Sequence, residues 1–234
     1  MRSRYFSIDM KPITAVTISA FNRPIYFNAF LDSLESQDID LEQFAFHCYI
    51  DGAYNYISKT DYDYNDSRFE VAQLFLDANI PNKALFLSEE NLGVALNVNR
   101  AITNPLKTYE QIIYLQDDFV LTSNLLDGVL EGLKVIQDNP KYGIISPDPR
   151  FYLALFGTTK EKWGMIDQYR QPFLEYIKGV DYIQRDVSEL VTKLGVSTED
   201  SSRKVAMKQA SLEFYGLNGI IADHIGIIGV HGAK

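Results

Sequence analysis

Five short runs rich in β-branched and aromatic residues constrain this chain more than any other feature: ITAVTIS (13–19), FAFHCYID (44–51), KALFLSE (83–89), QIIYLQDD (111–118) and YGIISPD (142–148). Between them lie segments with helical periodicity. IYFNAFLDSLES puts Tyr26, Phe30 and Leu34 on one face, and Pro24 suits a first helical turn. RFEVAQLFLDAN reads as a helix, and NLGVALNVNRAIT as a short helix opening near Gly93. TSNLLDGVLEGLKVIQ is amphipathic, with Thr122 or Ser123 as its cap. Tyr-, Asp- and Asn-rich AYNYISKTDYDYNDSRF reads as a loop. Strands alternating with helices make βαβ units, which predict an α/β fold with a mostly parallel central sheet and helices on both faces. Right-handed crossovers place the carboxyl ends of such strands on one edge, where ligands bind.

That edge gathers the polar punctuation. Asn22 and Arg23 follow the first strand, Asp51 ends the second, Glu89 to Asn91 follow the third, and Asp117 and Asp118 end the fourth. Two adjacent carboxylates at the end of a buried strand demand partners, because an unpaired buried charge is costly. They either cap the next helix and meet solvent, or hold a hard cation. Magnesium and manganese prefer oxygen donors and commonly take one or two carboxylates together with phosphate oxygens.

The other candidates each carry two readings. Asp51-Gly52 is a plain turn or an acceptor for a nucleobase N–H. Arg100 is a solvated helix charge or a bidentate phosphate ligand. Asn91-Leu92-Gly93 is a helix start, and a helix amino terminus also favours phosphate. In STED (197–200), Ser197 or Thr198 caps a helix with acids in its first turn, or Asp200 or Glu199 is a general base. His224 and His231, beside Gly226, Gly229 and Gly232, are structural or bind metal or phosphate. Trp163 is core or a sugar platform.

With 234 residues, 46% of them hydrophobic and 23% charged, the chain suffices for one sizeable globular domain or two small ones. A net charge of −9 without a basic stripe argues against nucleic acid as partner. The single cysteine, Cys48, excludes an intramolecular disulfide and reads as a buried thiol. The start MRSRYFSIDMKP lacks the apolar core of a secretory signal, and no apolar run approaches the ~20 residues of a membrane span. A soluble, cytoplasmic protein is expected. After Pro149 the pattern loosens, and Arg150 to Lys234 is expected to form a lid or acceptor region on the same sheet.

Taken together, these residues resemble the GT-A glycosyltransferases, especially the large family-2 group. ITAVTISAFNRPIYFNAFLDSL is similar to that family's opening strand, loop and helix, and CYIDG to its second strand, whose aspartate (here Asp51) contacts the base. ENLGVALNVNRAI resembles its N-x-G-x-x-x-A-x-N-x-G-I helix, putting Asn91, Gly93 and Arg100 on the nucleotide side. IIYLQDD matches the strand ending in the DXD-like metal motif, so the resemblance makes Asp118 the metal ligand and turns Asp117 toward ribose or sugar. More loosely, STEDSSRKVA and GIIADHIGIIGVHG resemble the base-bearing helix and closing segment of N-acetylglucosaminyltransferase I and its relatives.

The resemblance implies one GT-A domain over 1–234, with a nucleotide-sugar half (12–148) and an acceptor half (149–234). It implies a metal-dependent hexosyl- or N-acetylhexosaminyltransferase acting in glycan biosynthesis. The donor would be a nucleoside-diphosphate sugar, UDP-sugar first, and the acceptor hydroxyl would belong to a glycan, a lipid-linked group or a protein. Asn22, Arg23, Asp51, Asn91, Gly93, Arg100, Asp117 and Trp163 would bind the donor. Asp118 and His231 would hold manganese or magnesium. Asp200 or Glu199 would serve as base for inversion. Two alternatives remain: a non-catalytic GT-A binding module, and a sugar nucleotidyltransferase, which normally needs the glycine-rich loop that SAFNRP lacks.

Overall fold

The computed structural model describes residues 14–63, 65–147, 153–217 and 222–226. Its centre is β1 (Thr14–Ala20), all seven residues of which are buried. Burial on both faces explains why the strand reads as a continuous apolar run without alternation. β1 pairs in parallel with β2 (Phe44–Ile50) on one side and β6 (Gln111–Gln116) on the other, and β5 (Lys83–Leu87) extends the sheet beyond β2. A two-stranded hairpin, β3 (Tyr54–Asn55) with β4 (Thr60–Asp61), stands where the sequence suggests only a loop.

α1 (Pro24–Glu35) starts with proline in its first turn and buries Phe27, Phe30, Leu31 and Leu34. The buried stripe therefore includes Phe27 in place of the expected Tyr26, which is only half-buried. α2 (Ser67–Asp77) and α3 (Gly93–Thr103) fall where their periodicity puts them. α4 (Leu125–Asp138) differs at its start. Its N-cap is Asn124, with no side-chain cap. Ser123 Oγ instead donates to Asp38, and the Thr122 carbonyl accepts from Gln37 Nε2 at 2.8 Å.

Beyond β8 (Tyr142–Ser146), the segment without clean periodicity forms β9 (Leu155–Thr159), α5 (Lys160–Lys178) and α6 (Val187–Leu194). β9 runs antiparallel between β6 and β8, and β10 (Glu213–Gly216) adds in parallel to β8. The strand order is β10-β8-β9-β6-β1-β2-β5, seven strands in one sheet. α7 (Glu199–Gln209) is capped by Thr198, whose side chain accepts from Ser201 N in a capping box.

Side chains of α1, α2 and α4 pack on one face of the sheet around Phe27, Phe30, Phe75 and Val129, with the Cys48 thiol among them. Those of α3, α5 and α7 pack on the other around Tyr114, Phe156 and Ile166. Trp163 belongs to this second core, 3% exposed. No helix among the described residues is long and apolar enough to cross a membrane.

Candidate functional site

The parallel strands β1, β2, β5 and β6 present their carboxyl ends on one edge, and a cavity of about 390 Å³ opens there. Its walls include Asn22 and Arg23 after β1, Asp51 after β2, Asn91 and Gly93 before and at the start of α3, and Asp117 and Asp118 after β6. The four strand ends that the sequence pattern brings together thus meet in one place.

At one end lies the acid doublet. β6 stops at Gln116, and β7 (Phe119–Leu121) begins directly after Asp118, so both aspartates sit in a two-residue turn between strands. Asp117 and Asp118 are 3% and 5% exposed. Arg23 meets both: Nη2 donates to Asp117 Oδ1, and Nη1 to Asp118 Oδ2 at 2.9 Å. Burial pushes the Asp117 carboxyl upward, Arg23 opposes that shift, and neighbouring Asp118 adds to it. β11 (Ala222–His224) pairs antiparallel with β7 and brings His224 Nε2 to 3.1 Å from Asp118 Oδ2. Gly226 follows, and a Cβ there would lie 2.3 Å from Asp118 Oδ2, so only glycine passes this close to the carboxylate.

Asp118 Oδ1 is buried and has no hydrogen-bond partner among the described residues. An orphaned, buried carboxylate oxygen beside a second carboxylate is a hard donor set, which fits magnesium or manganese. Among the described residues no three or more His, Cys, Asp or Glu side chains form a metal cage. A cation here would therefore complete its shell with ligand oxygens and water. Arg23 now supplies the positive charge on the same two carboxylates. His231 lies outside the described residues.

At the other end is Asp51, 4% exposed. Its Oδ1 accepts from the backbone N–H of Gly52 at 2.9 Å and of Leu92 at 2.8 Å. Burial pushes its carboxyl up to about 6, against those hydrogen bonds and the Arg100 charge. A carboxyl whose folded pKa exceeds its unfolded value of about 3.9 binds its proton more tightly when folded. The stability it contributes is complete below about pH 4 and is lost as pH rises through about 6. Asp51→Asn is therefore expected to flatten the fall in melting temperature across that window, measured by thermal denaturation at stepped pH. Asp117, raised in the same direction, keeps its share of the slope.

Gly52 is fixed by close approach. A Cβ on it would lie 2.2 Å from Glu90 C and 2.7 Å from Asn91 N, both backbone atoms that have little room to yield. Gly52→Ala is expected to cost about 1–3 kcal/mol, the usual penalty of overpacking, read as a lower denaturation midpoint.

Four candidates from the sequence do not reach this cavity. Arg100 turns away: Nη2 donates to the Ile50 carbonyl at 2.6 Å and the Phe86 carbonyl at 3.3 Å, and Nε to Asn97 Oδ1 at 2.8 Å. It ties α3 to the ends of β2 and β5 and does not stand open for a phosphate. Trp163 lies in the core, with the Arg170 guanidinium 5.0 Å from its ring. Glu199 is 4% exposed and accepts from Arg170 at 2.9 Å and Arg203 at 2.6 Å. Asp200, mostly exposed, pairs with Arg203 at 2.8 Å. Neither acid lines the cavity.

Conversely, Val94, Asn97 and Ile183 line it unannounced. Ile183 comes from the loop after α5, where Asp181 accepts from Ser58 Oγ at 2.5 Å and Tyr62 Oη at 2.8 Å. No motif marks that loop; only the short acid-aromatic run DYIQRD hints at ordered contacts.

No family model matches the sequence, and no curated protein matches it. Solved structures do share its fold. A mannosyltransferase from Pyrobaculum calidifontis, in complex with GDP-Man and manganese, superposes with TM-score 0.51 at 13% identity, covering 93% of this chain and 58% of its own. Residues 1–349 of S. aureus TarS give TM-score 0.50 at 13% identity, covering 91% and 59%, and the same fragment with UDP gives 0.50 at 12%. This chain therefore spans a little under three fifths of the length of the mannosyltransferase chain and of the TarS fragment. These likenesses show a GT-A-like fold, the architecture of nucleotide-diphospho-sugar glycosyltransferases.

Proposed function

We propose that the protein is a glycosyltransferase that moves a hexosyl or N-acetylhexosaminyl group from a nucleoside-diphosphate donor to an acceptor hydroxyl, with manganese or magnesium at the acid doublet. One observation carries this reading. The buried Asp117-Asp118 pair, with Asp118 Oδ1 unpartnered, shares a cavity with Asp51 at the carboxyl edge of a parallel sheet. The GDP-Man and UDP held by proteins of the same fold support a donor of that class.

Asp118 would hold the cation through its unpartnered oxygen, with Asp117 beside it. The cation, when bound, neutralises charge on the departing diphosphate. Arg23 stands at that end, 2.9 Å from Asp118 Oδ2, and would exchange an aspartate for a phosphate oxygen without changing its charge pairing. The amino terminus of α3 at Gly93 faces the cavity and favours the same anion.

The placement of Glu199 and Asp200 lends no support to inversion by either. Asp51, Asp117 and Asp118 are the acids among the described residues lining the cavity. That placement favours, as second reading, a module that binds nucleotide sugar without turnover. Incubation with a panel of nucleoside-diphosphate sugars and manganese separates the two. A transferase leaks donor to water and releases nucleoside diphosphate; a module binds and releases nothing. Absence of any metal-dependent nucleotide binding would overturn both.

A further inference from the structure

The acid doublet already has a cation of its own. Asp117 Oδ1 accepts from Arg23 Nη2, and Asp117 Oδ2 from the Phe21 N–H at 3.4 Å. Asp118 Oδ2 accepts from Arg23 Nη1 at 2.9 Å and faces His224 Nε2 at 3.1 Å. The fourth oxygen, Asp118 Oδ1, has no partner among the described residues, but it is buried. A divalent ion therefore reaches these carboxylates only when something around them moves.

Few groups there can move. Gly226 packs against the Asp118 side chain, Ile225 N donates to the Asp118 carbonyl at 2.9 Å, and β11 is paired with β7 alongside. The Asp117 and Asp118 side chains are 4% and 8% exposed, whereas 26% of the Arg23 side chain meets solvent. Arg23 precedes α1, and its side chain makes no capping bond to that helix, so its departure leaves the helix intact. It cannot shed its proton to make room, because a guanidinium stays charged in proteins. Among the described residues it is also the only lysine or arginine lining the cavity.

Charge sets the order of events. Two carboxylates balance one divalent cation. With Arg23 still between them, the cluster would carry a buried positive charge without a counterpart, which is costly. A diphosphate supplies that counterpart and offers the guanidinium a bidentate place of its own.

We propose that Arg23 is a gate on the acid doublet: it holds both carboxylates as a built-in counter-ion until a diphosphate draws it away, so that the divalent cation enters with the diphosphate and not before it. The inference rests on the reading of the doublet as the cation site of a nucleotide-sugar transferase, and adds an order of binding to that reading. The coupling is reciprocal: the factor by which the diphosphate tightens the cation is the factor by which the cation tightens the diphosphate.

Manganese titration of the full chain, followed through the paramagnetic resonance of the free ion, tests this. It is run on the protein alone and with GDP, UDP, CDP, ADP or dTDP, and protein-free nucleotide controls subtract the ion bound in solution. The wild-type chain is expected to bind manganese at least about tenfold more weakly alone than with a diphosphate it accepts, within the usual span of coupled sites. A diphosphate that merely adds ligand oxygens gives that result too, so the variants decide. Arg23→Gln is expected to bind manganese alone at least about tenfold more tightly than wild type, and to lose most of the difference between the two conditions. Arg23→Lys keeps the positive charge and is expected to stay near wild type. Wild-type protein that binds manganese equally tightly with and without a diphosphate overturns the gate, even if neither variant folds. Arg23→Gln that melts as wild type does, yet binds manganese alone no better, overturns it while the cation site stands. Arg23→Lys matching Arg23→Gln shows that charge does not close the doublet and overturns the counter-ion role. No manganese uptake with any of the five nucleotides overturns the cation site itself, and the gate with it.

Discussion

Asp118→Asn is expected to lower donor turnover by about 10²–10³-fold, the usual cost of removing one preorganised stabiliser of transition-state charge, while the melting temperature moves by only a few degrees. The asparagine oxygen can still accept from Arg23 Nη1 and His224 Nε2, the two partners of Oδ2. What disappears is the negative charge and the unpartnered Oδ1 that would hold a cation. Stability changes in two opposing ways: Arg23 loses one of its two charged partners, while the repulsion between the two carboxylates disappears. An amide N–H takes the place of the orphaned oxygen and is equally unpaired. The like charge that helps push up the Asp117 carboxyl is gone, so Asp117 titrates at lower pH beside Arg23. Nucleotide release, thermal denaturation and manganese titration of nucleotide binding read the three effects separately. Unchanged turnover with unchanged manganese dependence would remove the doublet from the chemistry.

The sheet and this doublet were legible for one physical reason. Parallel strands covered on both faces are mostly apolar, so a charged residue marks where the strand leaves the core. β2 and β6 end at Ile50 and Gln116, directly before Asp51 and Asp117, and β1 ends at Ala20, two residues before Asn22. The strand β9 was not legible, because LFGTT is short and carries a glycine and two threonines. Its glycine is there for packing: a Cβ on Gly157 would lie 2.7 Å from Ile145 Cγ2 and 2.8 Å from Val129 Cγ1.

The direction of charged side chains was likewise hidden. Arg100 sits on the helix face expected of a phosphate ligand, yet its guanidinium reaches carbonyls at the ends of neighbouring strands. Arg23 and the doublet are 94 and 95 residues apart, and Glu199 and Arg170 are 29 apart. Nothing local in the sequence records such pairs. Asn91 shows the intermediate case. Its place at the helix start was readable, but the bond from its side-chain amide to the Gly52 carbonyl across the turn was not.

Glu199→Ala is expected to destabilise the protein by about 3–5 kcal/mol, the cost of breaking a buried ion pair from one side. For a chain of this size that corresponds to a melting temperature lower by very roughly 6–20 °C. Arg170 and Arg203 are both fully buried, and Glu199 is the acid that joins them. Their other partners are more exposed: Asp167 at 3.3 Å from Arg170, and Asp200 at 2.8 Å from Arg203. Among the described residues, Arg203 Nε and Nη1 and Arg170 Nε already lack partners, and the guanidinium groups lie against Tyr114, Phe156 and Trp163. Without Glu199, two cations would face each other in an aromatic core. Asp200→Ala removes an exposed partner and is expected to cost no more than about 1 kcal/mol. This contrast separates a structural acid from a general base. A base would lose turnover in the glutamine variant at an unchanged melting temperature; a keystone loses melting temperature first, and activity only as the fold is lost. Replacing Glu199, Arg170 and Arg203 together by apolar residues of similar volume is then expected to recover much of the stability, because the desolvation of all three charges disappears with the pair.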